Sequence, residues 1–194
     1  MRLAVICLAA GYSRRFSENK LLYLLSGKPL FVWGLEALET FARRCGGTVY
    51  TVTQYPQIIR YCEKKGLPYA LNCPDTNTGK ASSIKMGLET AKDSWDCYLF
   101  QVADQPWIDP DILERFWMEY QSSGKGIGCV CDRMGEVKNP VIFSCSYRNL
   151  LLELQGDEGG RKILEQFPED VWKFPVNKEH FFFVFYTKGE LPDE

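Results

Sequence analysis

Short apolar runs rich in branched side chains recur along this chain, each followed by a stretch with helical spacing. Leu3–Ala9 reads as a buried strand, and so do Thr48–Thr53, Leu67–Leu71, Cys97–Val102 and Ile127–Cys131. Apolar residues at Leu30, Trp33, Leu35, Leu38 and Phe41 mark a helix that Gly46-Gly47 ends, with Pro29 at its first turn, where proline is tolerated. Pro56–Lys65, stopped by Gly66, and Ser82–Lys92 read as the next two helices. Asp109 is placed to cap a helix reaching Tyr120, with Pro110 at its first position. Pro140–Phe143 reads as a strand, Tyr147–Leu154 and Gly160–Phe167 as helices, and Val171–Pro175 and Phe181–Tyr186 as closing strands. Strands alternating with helices predict an α/β fold with a mainly parallel sheet. Ligands of such sheets bind outside the carboxyl ends of the strands. The segments after Leu8, Leu71, Val102 and Phe143 are therefore the places to look.

The 194 residues carry no internal repeat and no Pro/Gly/Ser linker, which predicts one domain over 1–194. At 45% hydrophobic residues the chain is too apolar for intrinsic disorder. No apolar run reaches the roughly 18 residues of a membrane span. The apolar start, Leu3 to Ala10, runs into Gly11, Arg14 and Arg15 without a cleavage-site pattern, so it reads as a strand rather than a signal peptide. A net charge of −2 lacks the basic footprint of a nucleic-acid binder. None of the eight cysteines forms a C-x-x-C pair; Cys129 and Cys131 come closest, on one face of a strand. They read as small hydrophobes in a reducing cytoplasm. His180 is the only histidine, which argues against histidine triads and multi-histidine metal sites.

The loop after the first strand carries the strongest signal. Leu8, Ala9, Ala10 and Gly11 are small or apolar residues that let a backbone approach a ligand closely, and Gly11 permits unusual dihedrals. Consecutive N–H groups there can form an anion-binding nest. From Gly11 to Lys28 there are four basic residues against one acidic, a +3 segment that suits a triphosphate. Two familiar phosphate loops, G-x-x-x-x-G-K-[ST] and G-x-G-x-x-G, are both missing. The run from Leu8 to Lys20, with Ser13 and Arg15, instead resembles the L-A-A-G-x-S-x-R-[MF]-G-x-x-K loop of nucleotidyltransferases that activate sugars, isoprenoid precursors and molybdopterin. Ser17 stands where that loop has its second glycine.

Five later segments resemble the molybdopterin cytidylyltransferase group of the MobA-like family. Gly27-Lys28-Pro29-Leu30 leads into a helix. Gly79 to Leu88 matches G-x-x-x-S-[LI]-[RK]-x-G-L, and Ser82 or Ser83 can cap that helix and offer hydroxyls to a base or ribose. Val102-Ala103-Asp104-Gln105-Pro106 is similar to G-D-Q-P, with Ala103 in place of the glycine. Asn139-Pro140-Val141-Ile142-Phe143 and Gly156-Asp157-Glu158-Gly159-Gly160-Arg161 resemble G-x-P-V-x-F and G-D-x-G-[AG]-R. Ala10, and Asn19 before the lysine, lean towards the cytidylyl rather than the guanylyl branch. The family's C-terminal acidic run has no counterpart: with Thr187 in register, its acidic positions are Val184 and Tyr186.

The resemblance implies a three-layer, Rossmann-like nucleotidyltransferase fold. It implies transfer of CMP from CTP to the phosphate of molybdopterin or the molybdenum cofactor, with release of pyrophosphate. Leu8, Ala9, Ala10, Gly11, Ser13, Gly79, Ser82 and Ser83 would contact the nucleotide. Arg15 and Lys20 would neutralise phosphate charge, and Asp104 would hold Mg²⁺. Asn139, Asp157 and Arg161 would meet the second substrate. A molybdoenzyme or its chaperone is the candidate protein partner, with no nucleic acid and no membrane. Two other readings remain open: a nucleotidyltransferase with a different phosphorylated acceptor, and a degenerate accessory protein that binds nucleotide or molybdopterin.

Overall fold

The computed structural model of the chain describes residues 1–11, 19–73, 79–92 and 94–184. Strand β1 (Leu3–Ala9) pairs in parallel with β4 (Thr48–Thr53) on one side and β6 (Cys97–Val102) on the other. Beyond β4 lies the short β5 (Tyr69–Leu71), also parallel. Beyond β6 come β8 (Val137–Ser144), β7 (Ile127–Cys131) and β9 (Val171–Pro175), giving the order β5-β4-β1-β6-β8-β7-β9. Only β8 runs against the others. A two-residue turn, Ser26 and Gly27 with φ of 48° and 78°, closes a small hairpin of β2 (Leu24–Leu25) and β3 (Lys28–Pro29).

The strand period of two splits the apolar side chains between two faces. Leu3, Val5, Cys7 and Ala9 pack under α1 (Leu30–Cys45), α2 (Pro56–Lys65) and α4 (Pro110–Ser122), through Leu35, Leu38, Phe41, Ile58, Leu113 and Phe116. Ala4 and Ile6 face the other way, under α3 (Lys80–Thr90), α5 (Arg148–Glu153) and α6 (Gly160–Gln166), through Ile84, Leu88, Leu151 and Ile163. The result is the expected three-layer α/β arrangement, a sheet between two helical layers. Helix ends follow local chemistry. Gly46 and Gly66 take left-handed C-caps at φ 67°, and Asp109 caps α4 by accepting from the Asp111 amide.

Three expectations are corrected. The closing strand over Phe181–Tyr186 is not formed where it is described: Glu179–Phe182 is a 3-10 turn and Phe183–Val184 belong to no strand. Phe181 anchors that turn in the core, and the Phe182 carbonyl accepts from Gln105 Nε2 at 3.4 Å rather than from a neighbouring strand. Strand β8 begins at Val137, not Pro140. Its register against β7 jumps from Cys129–Val141 to Val130–Lys138, which leaves Asn139 and Pro140 out of the ladder, as a residue without an N–H requires. Because β8 is antiparallel, its Phe143 end lies at the amino ends of β6 and β7. The segment after Phe143 is therefore on the wrong edge for the site, and the Asn139 end is on the right one. The cysteines form no disulfide; Cys7, Cys62, Cys97, Cys129 and Cys131 are buried as expected, whereas Cys145 is exposed. No helix among the described residues is long and apolar enough to cross a membrane.

Helix α3 sits so close to the sheet that a Cβ on Gly87 would lie 2.5 Å from Ile6 Cγ2 and 3.2 Å from Val52 Cγ2. Gly87→Val is expected to lower stability by about 2 kcal/mol through overpacking, read as a fall in the urea midpoint. An unchanged midpoint would show that α3 has slack against β1 and β4.

Candidate active site

At the carboxyl edge of the sheet, β1 and β6 end side by side. The Ala103 amide donates to the Leu8 carbonyl at 3.0 Å, so the turn carrying Asp104 is tied to the strand that launches the Gly11 loop. The chain returns at Asn19, whose side chain caps a 3-10 turn, Lys20–Leu22, by accepting from the Leu21 amide at 3.0 Å. That turn aims Lys20 Nζ at Asp104 Oδ2, and the two form an ion pair with each side chain 19% exposed. Beneath them Gly34 of α1 passes close to the turn: a Cβ there would lie 3.2 Å from the Gln105 carbonyl oxygen.

The second oxygen of Asp104, Oδ1, is buried and has no hydrogen-bond partner among the described residues. Asn19 Nδ2 and Gln101 Oε1 share that condition. Buried polar atoms are nearly always paired, with protein, water or a ligand. Gln101 Nε2 donates to Gln105 Oε1 at 2.5 Å, so two buried amides brace the Asp104 turn from inside the core. Burial raises the Cys7 thiol well above its ordinary range, with Cys62 and Asp104 adding to the shift. It stays protonated and offers neither a nucleophile nor a metal ligand. Among the described residues no three His, Cys, Asp or Glu side chains group as a metal cage. Of the two positions in the family's C-terminal acidic run, Val184 carries no carboxylate and Tyr186 lies outside the described residues.

A second cluster forms where α3 begins. Asn72, fully buried just after β5, donates through Nδ2 to Ser83 Oγ at 2.9 Å and Ser82 Oγ at 3.2 Å. Ser82 Oγ donates in turn to the Gly79 carbonyl at 2.8 Å. Gly79 is the N-cap at φ 129°, and a Cβ on it would lie 2.3 Å from the Gly156 carbonyl oxygen and 2.8 Å from Asp157 Oδ1. The Gly156 carbonyl also takes the Ala81 amide at 3.1 Å. Gly79 and Asp157, assigned by the sequence to different substrates, are thus pressed together.

The other expected residues divide. Leu8, Ala9, Ala10 and Gly11 stand at the edge as anticipated. Gly11, however, does not use a left-handed dihedral, and the space its Cβ would take is open of described atoms. Ser13 and Arg15 lie outside the described residues. Asn139 sits in the β8 irregularity, two residues beyond the Phe100–Val141 pair and towards the site edge. Arg161 is exposed on α6 and pairs with Glu165 at 3.2 Å, so the structure does not bring it to Asp104. Sequence reading missed Asn72 and the run Thr53-Gln54-Tyr55, whose side chains hold the Ala9–Gly11 carbonyls. The available signal was their place: β4 is parallel to β1, so the residue after Thr53 leaves at the same edge.

Comparison with known proteins agrees with this geometry. The MobA-like NTP transferase domain model matches residues 5–171. A probable molybdenum cofactor guanylyltransferase from Nostoc sp. is 32% identical over 115 residues, 59% of this chain and 51% of its own length. The chain thus spans about half the length of that curated relative. The purine catabolism protein PucB of Bacillus subtilis is 28% identical over 82% of this chain and 79% of its own. Rv0371c of Mycobacterium tuberculosis, solved in complex with manganese, shares the fold at a TM-score of 0.74 and 18% identity, covering 92% of this chain and 90% of that one. With the family pattern running through the β1 loop, the Asp104 turn and the Asn139 segment, this chain belongs to the MobA-like NTP transferase domain family.

Proposed function

We propose that this chain is a Mg²⁺-dependent nucleotidyltransferase that moves CMP from CTP to the phosphate of molybdopterin or the molybdenum cofactor and releases pyrophosphate. One observation carries the reading. A carboxylate at the end of β6 has one oxygen paired with Lys20 and the other buried without a partner among the described residues, at the root of a basic loop. A hard divalent cation held by one or two carboxylates plus phosphates and water suits that donor set, so Asp104 fits as its protein ligand. Bound there, such an ion supplies charge neutralisation to the phosphate oxygens.

The chain's own groups do the rest. Lys20, fixed by its 3-10 turn, presents an ammonium where phosphate charge gathers, and Arg15 adds a second cation. The Ala10–Gly11 backbone approaches the nucleotide, and the Ser82 and Ser83 hydroxyls, ordered by Asn72, face a base or ribose. Asn139 and Asp157 serve the acceptor side. The attacking phosphate is already ionised, so positioning and charge compensation suffice without a general base. Ala10, and Asn19 before Lys20, favour cytidine. The setting of this reaction is the cytoplasm, with a molybdoenzyme or its chaperone receiving the product.

Calorimetry with CTP, GTP, ATP and UTP, with and without Mg²⁺, is expected to give Mg²⁺-dependent binding that is tightest for CTP. Preference for GTP would overturn the base assignment, and binding of no nucleotide would overturn the reading as a whole. Asp104→Ala and Lys20→Ala are each expected to cut turnover by about 100-fold or more, the scale of one lost electrostatic contact in a transition state; near-full turnover in both would refute their roles. Lys20→Met should also lower stability by about 1–3 kcal/mol, because it leaves a largely buried carboxylate without its counter-ion. Adding Asp104→Asn should recover part of that loss in a double-mutant cycle. Additive losses would mean that the two charges do not interact.

A further inference from the structure

The parallel ladder between β1 and β4 ends at the pair Ala9–Thr53. Beyond it, three consecutive residues on the β4 side reach three consecutive carbonyls on the β1 side with their side chains. Thr53 Oγ1 donates to the Ala9 carbonyl at 3.1 Å, Gln54 Nε2 to the Ala10 carbonyl at 2.7 Å, and the Tyr55 hydroxyl to the Gly11 carbonyl at 2.5 Å. Each bond joins residues 44 apart, so the two segments stay in register past the end of the sheet, with side-chain donors in place of backbone ones. The donors are themselves held. Thr53 is fully buried, its hydroxyl accepts from the Tyr55 amide at 3.1 Å, and its carbonyl accepts from the Asn72 amide at 2.9 Å. Tyr55 packs against the α1–α2 core.

We propose that Thr53, Gln54 and Tyr55 are positioning residues that latch the stem of the nucleotide loop, and that the latch sets nucleotide affinity. They act through Ala9–Gly11 rather than through contacts of their own. This rests on the nucleotidyltransferase reading above. A stem fixed before the ligand arrives loses less conformational entropy on binding, which appears as a lower KM for the nucleotide. The acceptor and the chemical step do not draw on that gain.

Tyr55→Phe removes the hydroxyl and keeps the ring; Gln54→Met keeps the length and removes the donor. In the ligand-free chain each is expected to speed amide hydrogen exchange at Ala10 and Gly11 several-fold. In turnover each should raise the KM for CTP by about 3- to 10-fold, the worth of one hydrogen bond, with kcat within about twofold and the acceptor KM unchanged. Tyr69→Phe serves as the control: it removes a comparable exposed hydroxyl, bonded to Glu63 at 3.0 Å, and should leave all four values in place. Unchanged exchange in both variants would overturn the latch, whatever the nucleotide does. Faster exchange with an unchanged CTP KM would overturn its link to affinity, and so would parallel losses in kcat, both KM values and Tm, which mark a merely structural role. Wild-type chain that binds no nucleotide would bring down the transferase reading and the affinity claim with it, while the exchange rates still decide whether the latch exists.

Discussion

β1 is paired in parallel on both sides, with β4 and β6, and this constraint sets everything at the site. Three chains must then leave the sheet at one edge, within the roughly 5 Å spacing of neighbouring strands. Gly11, Gln54 and the Asp104 turn are brought together by that geometry alone. Side-chain and backbone bonds tighten it: the Ala103 amide on the Leu8 carbonyl, and the Thr53–Tyr55 donors on the Ala9–Gly11 carbonyls. Antiparallel β8 contributes its beginning rather than its end, which is how Asn139 comes to the same edge.

Electrostatics at this edge follow from partial burial. A carboxylate largely withdrawn from water needs compensation, and the 3-10 turn places Lys20 to supply it. The compensation is incomplete, because Asp104 Oδ1 has no partner among the described residues. Around it the groups are inert or braced. Cys7 is held as a thiol by burial, and Gln101 donates to Gln105, which donates in turn to the Phe182 carbonyl. The polar chemistry is thereby concentrated on one side chain, Asp104.

Much of the fold was legible in the sequence because its signals are local. The branched runs at Leu3–Ala9, Thr48–Thr53 and Cys97–Val102 appear as strands with those bounds, and Gly46, Gly66 and Asp109 terminate helices as their chemistry dictates. The expected strand fails over Phe181–Val184, its described part, because an aromatic run fits a buried turn as well as a strand, and only the surrounding core distinguishes them. The direction of β8 was equally invisible: an apolar run reads the same in either sense, so the sequence put the segment after Phe143 at the ligand edge, while Asn139 was named from the family resemblance alone.

At the site, residue type and spacing determined the candidates that carry unusual chemistry for their place: a glycine-bearing basic loop after a strand, and an aspartate before Gln-Pro at the end of another. Lys20 and Asp104, 84 positions apart, could be named from sequence, but their pairing could not, because it depends on two strands lying side by side. The same holds for Gly79 against Asp157, for Asn72 beneath the two serines, and for the latch on Ala9–Gly11. Asn72 and the Thr53–Tyr55 run are ordinary polar residues that belong to no motif, and the contacts of the others are not written in theirs. Local propensity belongs to the chain, whereas a contact between distant segments exists only once packing has brought them within bonding range.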